Sequence, residues 1–329
     1  MFDLTAPEGI KPKFAGHETF PLRQLWLPKF TRLVSELEAQ GRETLPSDEE
    51  CIVRLGVGKN MVASMRFWTE AAGMIEHDRL ALSDLGRFVF ADEMSEQDRQ
   101  TDRQTDRQSA ELISSASLRA EHPAAQWLVH WRLSAEPAAF TPNWFLFNFS
   151  GAATLDRPSL LKALRAYCDE SRWKVTDASL KRALEVVLRS YLPRFSAKGR
   201  AEDFVEPYLS DLGLLEATGR EAFRFCRGMH ATLPAGIFAF ALLEYWEKLE
   251  NSGSALDFAR IAYGCGSPGR VFKLDTDSLG LRLQRLEAFT KGALLWTEQA
   301  GLRQVIRQKD ALSDPQGFKQ RMLRAAFAE

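Results

Sequence analysis

The chain has 329 residues, 45% of them hydrophobic, and its 43 basic against 44 acidic side chains leave a formal net charge of −1. That length fits two to three domains with sizeable cores, and the neutral balance excludes a chain that coats nucleic acid non-specifically, so any DNA contact needs a local basic patch. Cys51, Cys168, Cys226 and Cys265 are too scattered for a zinc or disulfide framework, and no signal segment or membrane-length apolar run is present, so the expected location is the cytoplasm, away from membranes.

In chain order, the N-terminal segment carries Lys11, Lys13, Arg23 and Lys29 among aromatics, ahead of a helix expected from Phe30 to Gln40. Within it, Gly16-His17-Glu18-Thr19 sets an imidazole, a carboxylate and a hydroxyl side by side. One reading is a capped turn, with Thr19 or Glu18 bonding to nearby backbone and His17 packed on Trp26. The other makes His17 a general base and Glu18 a ligand for metal or water in phosphodiester cleavage.

Ser47 to Asp92 holds the clearest pattern. Ser47 and Glu50 have the spacing of a capping box, and Gly56 and Gly58 turn the chain after Leu55. The next helix puts Met61, Met65, Trp68 and Ala72 on one stripe, with Lys59, Ala63, Arg66 and Glu70 opposite. Met74 to Glu76 and Arg79 to Leu82 then flank His77-Asp78 as a tight hairpin, and Ser83 caps a short helix. Helix, turn, helix, hairpin is the order of a winged helix, whose second helix can enter the major groove. Arg54, Lys59, Asn60 and Arg66, with Arg79, are the side chains that would meet phosphates or bases. A winged helix that docks protein is the competing reading, since fold does not fix function.

EQDRQTDRQTDRQS follows, a tetrapeptide repeat with no apolar residue to bury, expected to be a flexible insertion over 96–117. HPAAQWLVHWRL and PNWFLFNFS then gather Trp127, Trp131, Trp144, Phe145, Phe147 and Phe149 into a helical core, with His130 a satisfied core histidine. Two helices are indicated between Ser159 and Leu192, and LLEATG and EAFRFCRG pair as a hairpin. PAGIFAFALLEYWEKL is a long apolar helix. After it, ALDFARIAYG, a CGSPGR turn, SLGLRLQRLEAF and the GALLWTEQAGLRQVIRQ hairpin make a further unit. Gly266 to Arg270 lacks the lysine and preceding strand of a phosphate loop and reads as a turn. The expected architecture is mainly α: a multi-unit helical protein with winged helix-turn-helix units and short β-hairpin wings, divided into 1–95, 96–117, 118–200 and 201–329.

KPKFAGHETFPLR, IVRLGVGKNMVASMRFWTEAAGMI, WLVHWRL, EDFVEPYLSDLGLL, GSPGRVFKLD and AGLRQVIR resemble a bacterial family catalogued as domain of unknown function 4007, over nearly the whole chain. The DRQT repeat departs from that pattern. The resemblance implies a component of DNA phosphorothioation and phage-defence operons that supplies DNA binding and strand nicking for sulfur insertion. The implied partners are double-stranded DNA, the sulfur-transfer enzymes and the ATPase of the same system, with a second copy of the chain a further candidate. A nick exposes a backbone position for sulfur, and nicking usually needs Mg2+ or Mn2+ beside an activated water. The alternatives are a non-catalytic adaptor that recruits those enzymes and a transcriptional regulator of the operon. The resemblance carries over no catalytic residues, so His17 and Glu18 rest on position and chemistry. Arg270 and Lys273 join the expected DNA-binding set, and no ligand set for a metal is assigned.

Overall fold

The computed structural model describes residues 9–91, 119–149, 154–192, 207–249, 253–299, 301–308 and 313–329. The DRQT repeat and the 96–117 insertion expected around it lie outside these residues. The chain is mainly helical, with small antiparallel sheets, and one network of buried apolar side chains runs from Phe14 to Ala326.

Helix α1 (Trp26–Ala39) buries Trp26, Leu27, Phe30, Leu33, Val34 and Leu37, the spacing of one helical face. It begins four residues before the expected Phe30, because Pro28 sits in the first turn, where its missing N–H has no intrahelical partner to lose. Helix α2 (Asp48–Leu55) starts on Ser47, whose Oγ accepts the Glu50 N–H at 3.3 Å. The reciprocal half of the capping box does not form, since the Glu50 carboxylate turns to Arg42 and Arg54. Gly56 closes α2 at φ +68°, whereas Gly58 is extended and opens α3 (Lys59–Ala71). Met65, Trp68 and Ala72 of the expected stripe are buried and Met61 only partly. The hairpin is reduced to one bridge, Ile75 opposite Leu82. Short α4 (Asp84–Gly86) closes against it at Gly86, where a Cβ would stand 1.9 Å from the Met74 carbonyl oxygen.

Helices α5 (Pro123–Ala135) and α6 (Thr141–Asn148) form the aromatic centre. Trp127, Trp131, Trp144, Phe145 and Phe147 are buried there. His130 is a satisfied core histidine: Nδ1 pairs with the Tyr191 hydroxyl at 2.8 Å and Nε2 with the Val271 carbonyl oxygen at 3.0 Å.

Two further units each carry one strand, then helices, then a two-stranded hairpin, the second being preceded by a long helix. In the first come β1 (Thr154–Asp156), α7 (Arg157–Glu170), α8 (Asp177–Tyr191), a 3-10 turn Ser210–Leu212, β2 (Leu215–Ala217) and β3 (Ala222–Phe225). The second runs α9 (Ala235–Lys248), β4 (Ala255–Asp257), α10 (Phe258–Tyr263), α11 (Pro268–Val271), α12 (Thr276–Phe289), β5 (Leu294–Gln299) and β6 (Leu302–Arg307). The sheets are ordered β1-β3-β2 and β4-β6-β5, so in each the last strand lies between the other two. The expected boundary at residue 200 therefore divides β1 from its partner β3, with Leu155 opposite Phe223. A two-stranded hairpin is marginal by itself, and the third strand supplies the missing partner from the N-terminal side of that boundary. Helix α13 (Pro315–Ala326) packs on α9 and ends the chain's regular structure. Among the described residues no helix is long and apolar enough to cross a membrane, and all four cysteines are free.

Candidate nucleic-acid interface

The loop from Gly16 to Thr19 is fixed between α3 and α8. Gly16 (φ +108°), Glu18 (φ +46°) and Thr19 (φ +65°) all lie in left-handed space, a strained run that persists only where its surroundings over-determine it. Gly16 has no alternative, since a Cβ would also meet the Phe67 ring at 2.7 Å. On the α3 side, Ser64 Oγ donates to the His17 carbonyl at 2.9 Å and Trp68 Nε1 to the Phe20 carbonyl at 3.1 Å. On the α8 side, Arg189 Nη1 donates to the Thr19 carbonyl at 3.3 Å.

His17 is 4% exposed and is not the solvent-facing base its sequence position suggested. Its ring meets Phe67 and Phe140 edge to face rather than Trp26. Nδ1 accepts the Thr19 N–H at 3.1 Å, while Nε2 is buried without a hydrogen-bond partner. Burial, with the Arg182 guanidinium adding to it, depresses its pKa, so the ring is neutral and holds the turn. Glu18 is exposed beside it.

Elsewhere on the same two helices, α3 presents Lys59, Asn60, Ala63 and Arg66 to solvent, and α8 presents Lys181 and Arg182. Lys59, 71% exposed, pairs with Asp48 at 2.7 Å, a surface contact that phosphate can displace at little cost. The other expected cations are differently engaged. Arg54 is bound to Glu36 and Glu50, and Lys13 to Glu70 at 2.6 Å. Half-buried Arg23 lies over the Phe20 and Trp26 rings. Lys11 is exposed and Lys29 half-exposed on α1. Arg270 and Lys273 are 8% and 1% exposed, so burial takes both off any surface that a duplex could cover.

A second imidazole stands where His17 does not. His77, 78% exposed at the hairpin tip, holds Glu70 Oε1 through Nδ1 at 2.7 Å, and Lys13 Nζ meets the same oxygen. Burial pushes the Glu70 carboxyl up, but the bonds from Lys13 and His77 outweigh it and keep the group below its ordinary value. Glu70 lies one turn beyond Arg66 on α3, so the pair adjoins the outer face of that helix. A carboxylate on Nδ1 fixes the imidazole and leaves Nε2 to solvent, the arrangement of an oriented general base.

A family model described as "Protein of unknown function (DUF4007)" matches residues 14–326. No curated protein matches the chain. A solved structure described as magnesium ion-bound SspB superposes with a TM-score of 0.74 at 25% identity, over 98% of this chain and 97% of that one. A second, described as the SspB crystal structure, superposes with a TM-score of 0.73 at 23% identity, over 98% and 91%.

Proposed function

Because the chain belongs to the DUF4007 family, we propose that it is the DNA-binding, strand-nicking component of a bacterial DNA phosphorothioation system. Its helical units act as winged helices, a reading supported by the helix-turn-helix at α2–α3 and by the two sheets in which the last strand lies between the others. The observation that carries the proposal is the pairing of α3 and α8. Both helices bond to one strained loop, through Ser64 and Arg189, and Lys59, Asn60 and Arg66 of α3 and Lys181 and Arg182 of α8 are exposed. The duplex lies across this face, with α3 in the groove and the His77 hairpin against the backbone.

Cleavage then uses His77. Its Nε2 takes a proton from water, the water oxygen bonds to phosphorus, and the bond to the departing strand oxygen breaks, that oxygen taking a proton from solvent. Arg66 offsets the charge gathering on phosphorus. One structural relative is described as magnesium ion-bound. Among the described residues no group of three or more His, Cys, Asp or Glu side chains could hold a metal ion.

Supercoiled plasmid incubated with the protein in magnesium buffer tests the reading. Open circles are expected, and binding without nicking would replace it with the adaptor. High affinity confined to the operon's own promoter would replace it with the regulator. For the binding face, Lys59→Ala/Arg66→Ala should weaken duplex affinity and flatten its slope against log salt by about one unit per lost phosphate contact. Lys181→Ala/Arg182→Ala should do the same in fluorescence anisotropy with a short duplex. An unchanged slope in the second variant would leave α8 outside the interface.

A further inference from the structure

Charges are rarely buried without partners, and buried Lys319 and half-buried Arg282 obey that rule. Lys319 Nζ bonds Glu247 at 2.6 Å, and Arg282 donates to the carbonyls of Leu233, Met229 and His230. Arg270 does not. It is 8% exposed, its Nη1 is buried without a hydrogen-bond partner, and among the described residues no carboxylate or carbonyl accepts from its guanidinium. Three residues on, Lys273 is 1% exposed with left-handed backbone (φ +52°). Its Nζ donates to the Phe147 carbonyl and lies 3.9 Å from the centre of the Phe225 ring, with no carboxylate in contact among the described residues. A third cation joins from another segment. Arg227 follows β3, and the neighbouring Gly228 N–H bonds the Lys273 carbonyl at 3.2 Å. The three side chains are close enough to repel one another.

Such a cluster is unfavourable as it stands. A guanidinium cannot discharge itself by losing a proton, and a buried cation with neither counter-ion nor full hydrogen bonding destabilises the fold. The same arrangement is what an oxyanion requires: a donor without a partner, convergent positive charge and low-dielectric walls. The approach is from Arg227, which is exposed. A phosphodiester within a continuous duplex cannot reach a guanidinium this deeply set. We propose that Arg270, Lys273 and Arg227 form a binding site for a terminal phosphoryl group, either inorganic phosphate or the 5′-phosphate of a strand end. Lys273 lies behind with its Nζ held by the Phe147 carbonyl, Arg270 supplies the bonding donors, and Arg227 guards the entrance. The site stands apart from the α3–α8 face and does not depend on it.

Thermal unfolding in phosphate against chloride at equal ionic strength tests the site, together with a short oligonucleotide carrying either a 5′-phosphate or a 5′-hydroxyl. Phosphate should raise the Tm of the full chain by about 3 °C or more near saturation. Arg270→Gln should abolish the rise, and Arg227→Ala, a surface change that leaves folding intact, should lower phosphate affinity about tenfold. Lys59→Ala/Arg66→Ala should keep the rise, so failure of the DNA reading and failure of this one are separable. A shift with inorganic phosphate identifies the free anion as a ligand, and one with the 5′-phosphorylated oligonucleotide alone identifies the strand end. Equal shifts in wild type and both variants, or no shift in wild type with either probe, would overturn the proposal.

Discussion

His77→Ala should reduce plasmid nicking by about a hundredfold or more while duplex affinity and Tm stay near wild type. The side chain is exposed, and Glu70 keeps its bond from Lys13 when the ring is removed, so removing it does little to the fold. Glu70→Gln should lower nicking less. It weakens the hold on Nδ1 and on Lys13 but leaves an imidazole at the hairpin tip. His17→Ala should behave in the opposite way. It removes a buried ring that spans Phe67 and Phe140 and frees the Thr19 N–H, so Tm falls while the nicking rate per folded molecule is kept. Nicking at the wild-type rate by His77→Ala would remove this residue from the chemistry.

Stability should decline between pH 6.5 and 4.5, before carboxylates begin to titrate in number. Burial drives the His130 pKa down to about 3, the Val271 carbonyl partly opposing and the Lys273 and His230 charges reinforcing it. His17 and His230 are lowered in the same direction by burial. Because the folded pKa lies below the unfolded value, the unfolded chain binds more protons in this window. The stabilisation is complete above about pH 6.5 and drains as pH falls toward the folded pKa. At ~1.4 kcal/mol per unit, His130 alone should account for ~2–3 kcal/mol by pH 4.5. Urea midpoints recorded across the range measure it. His130→Gln should be less stable at pH 7.5 and lose most of the slope. A wild-type midpoint that stays level from pH 6.5 to 4.5 would show that His130 is not held neutral in the fold.

The α2–α3 turn was legible because its signals are local: a cap at Ser47, a left-handed glycine at Gly56 and a stripe of apolar side chains through Trp68. What escaped the sequence depends on distant partners. His17 is buried by Phe140, more than a hundred positions away, and nothing near His17 announces that ring. Lys181, Arg182 and Arg189 lie in a stretch for which only a helix was expected. The contact from Arg189 to Thr19 is what brings that helix beside the loop. His77 and Glu70 are seven residues apart, but their pairing needs the hairpin to fold back along α3 and Lys13 to arrive from the N-terminal segment. Strands β1 and β4 are three residues each, too short for a period of two to show. Arg270 and Lys273 were expected at the surface because charged residues usually lie there. Gly269 packs so closely on Ala262 that the whole turn is drawn inside.

Hydrogen exchange of the protein, with and without a short DNA duplex, tests most directly whether α3 and α8 form one DNA-binding face. Bound duplex should slow exchange together in the 16–19 loop, in the first two turns of α3 from Lys59 to Arg66, and along α8 from Asp177 to Arg189. The aromatic core around Trp127 should be unchanged. Protection confined to other elements, or absent from α8 while α3 is protected, would contradict a face built from both helices.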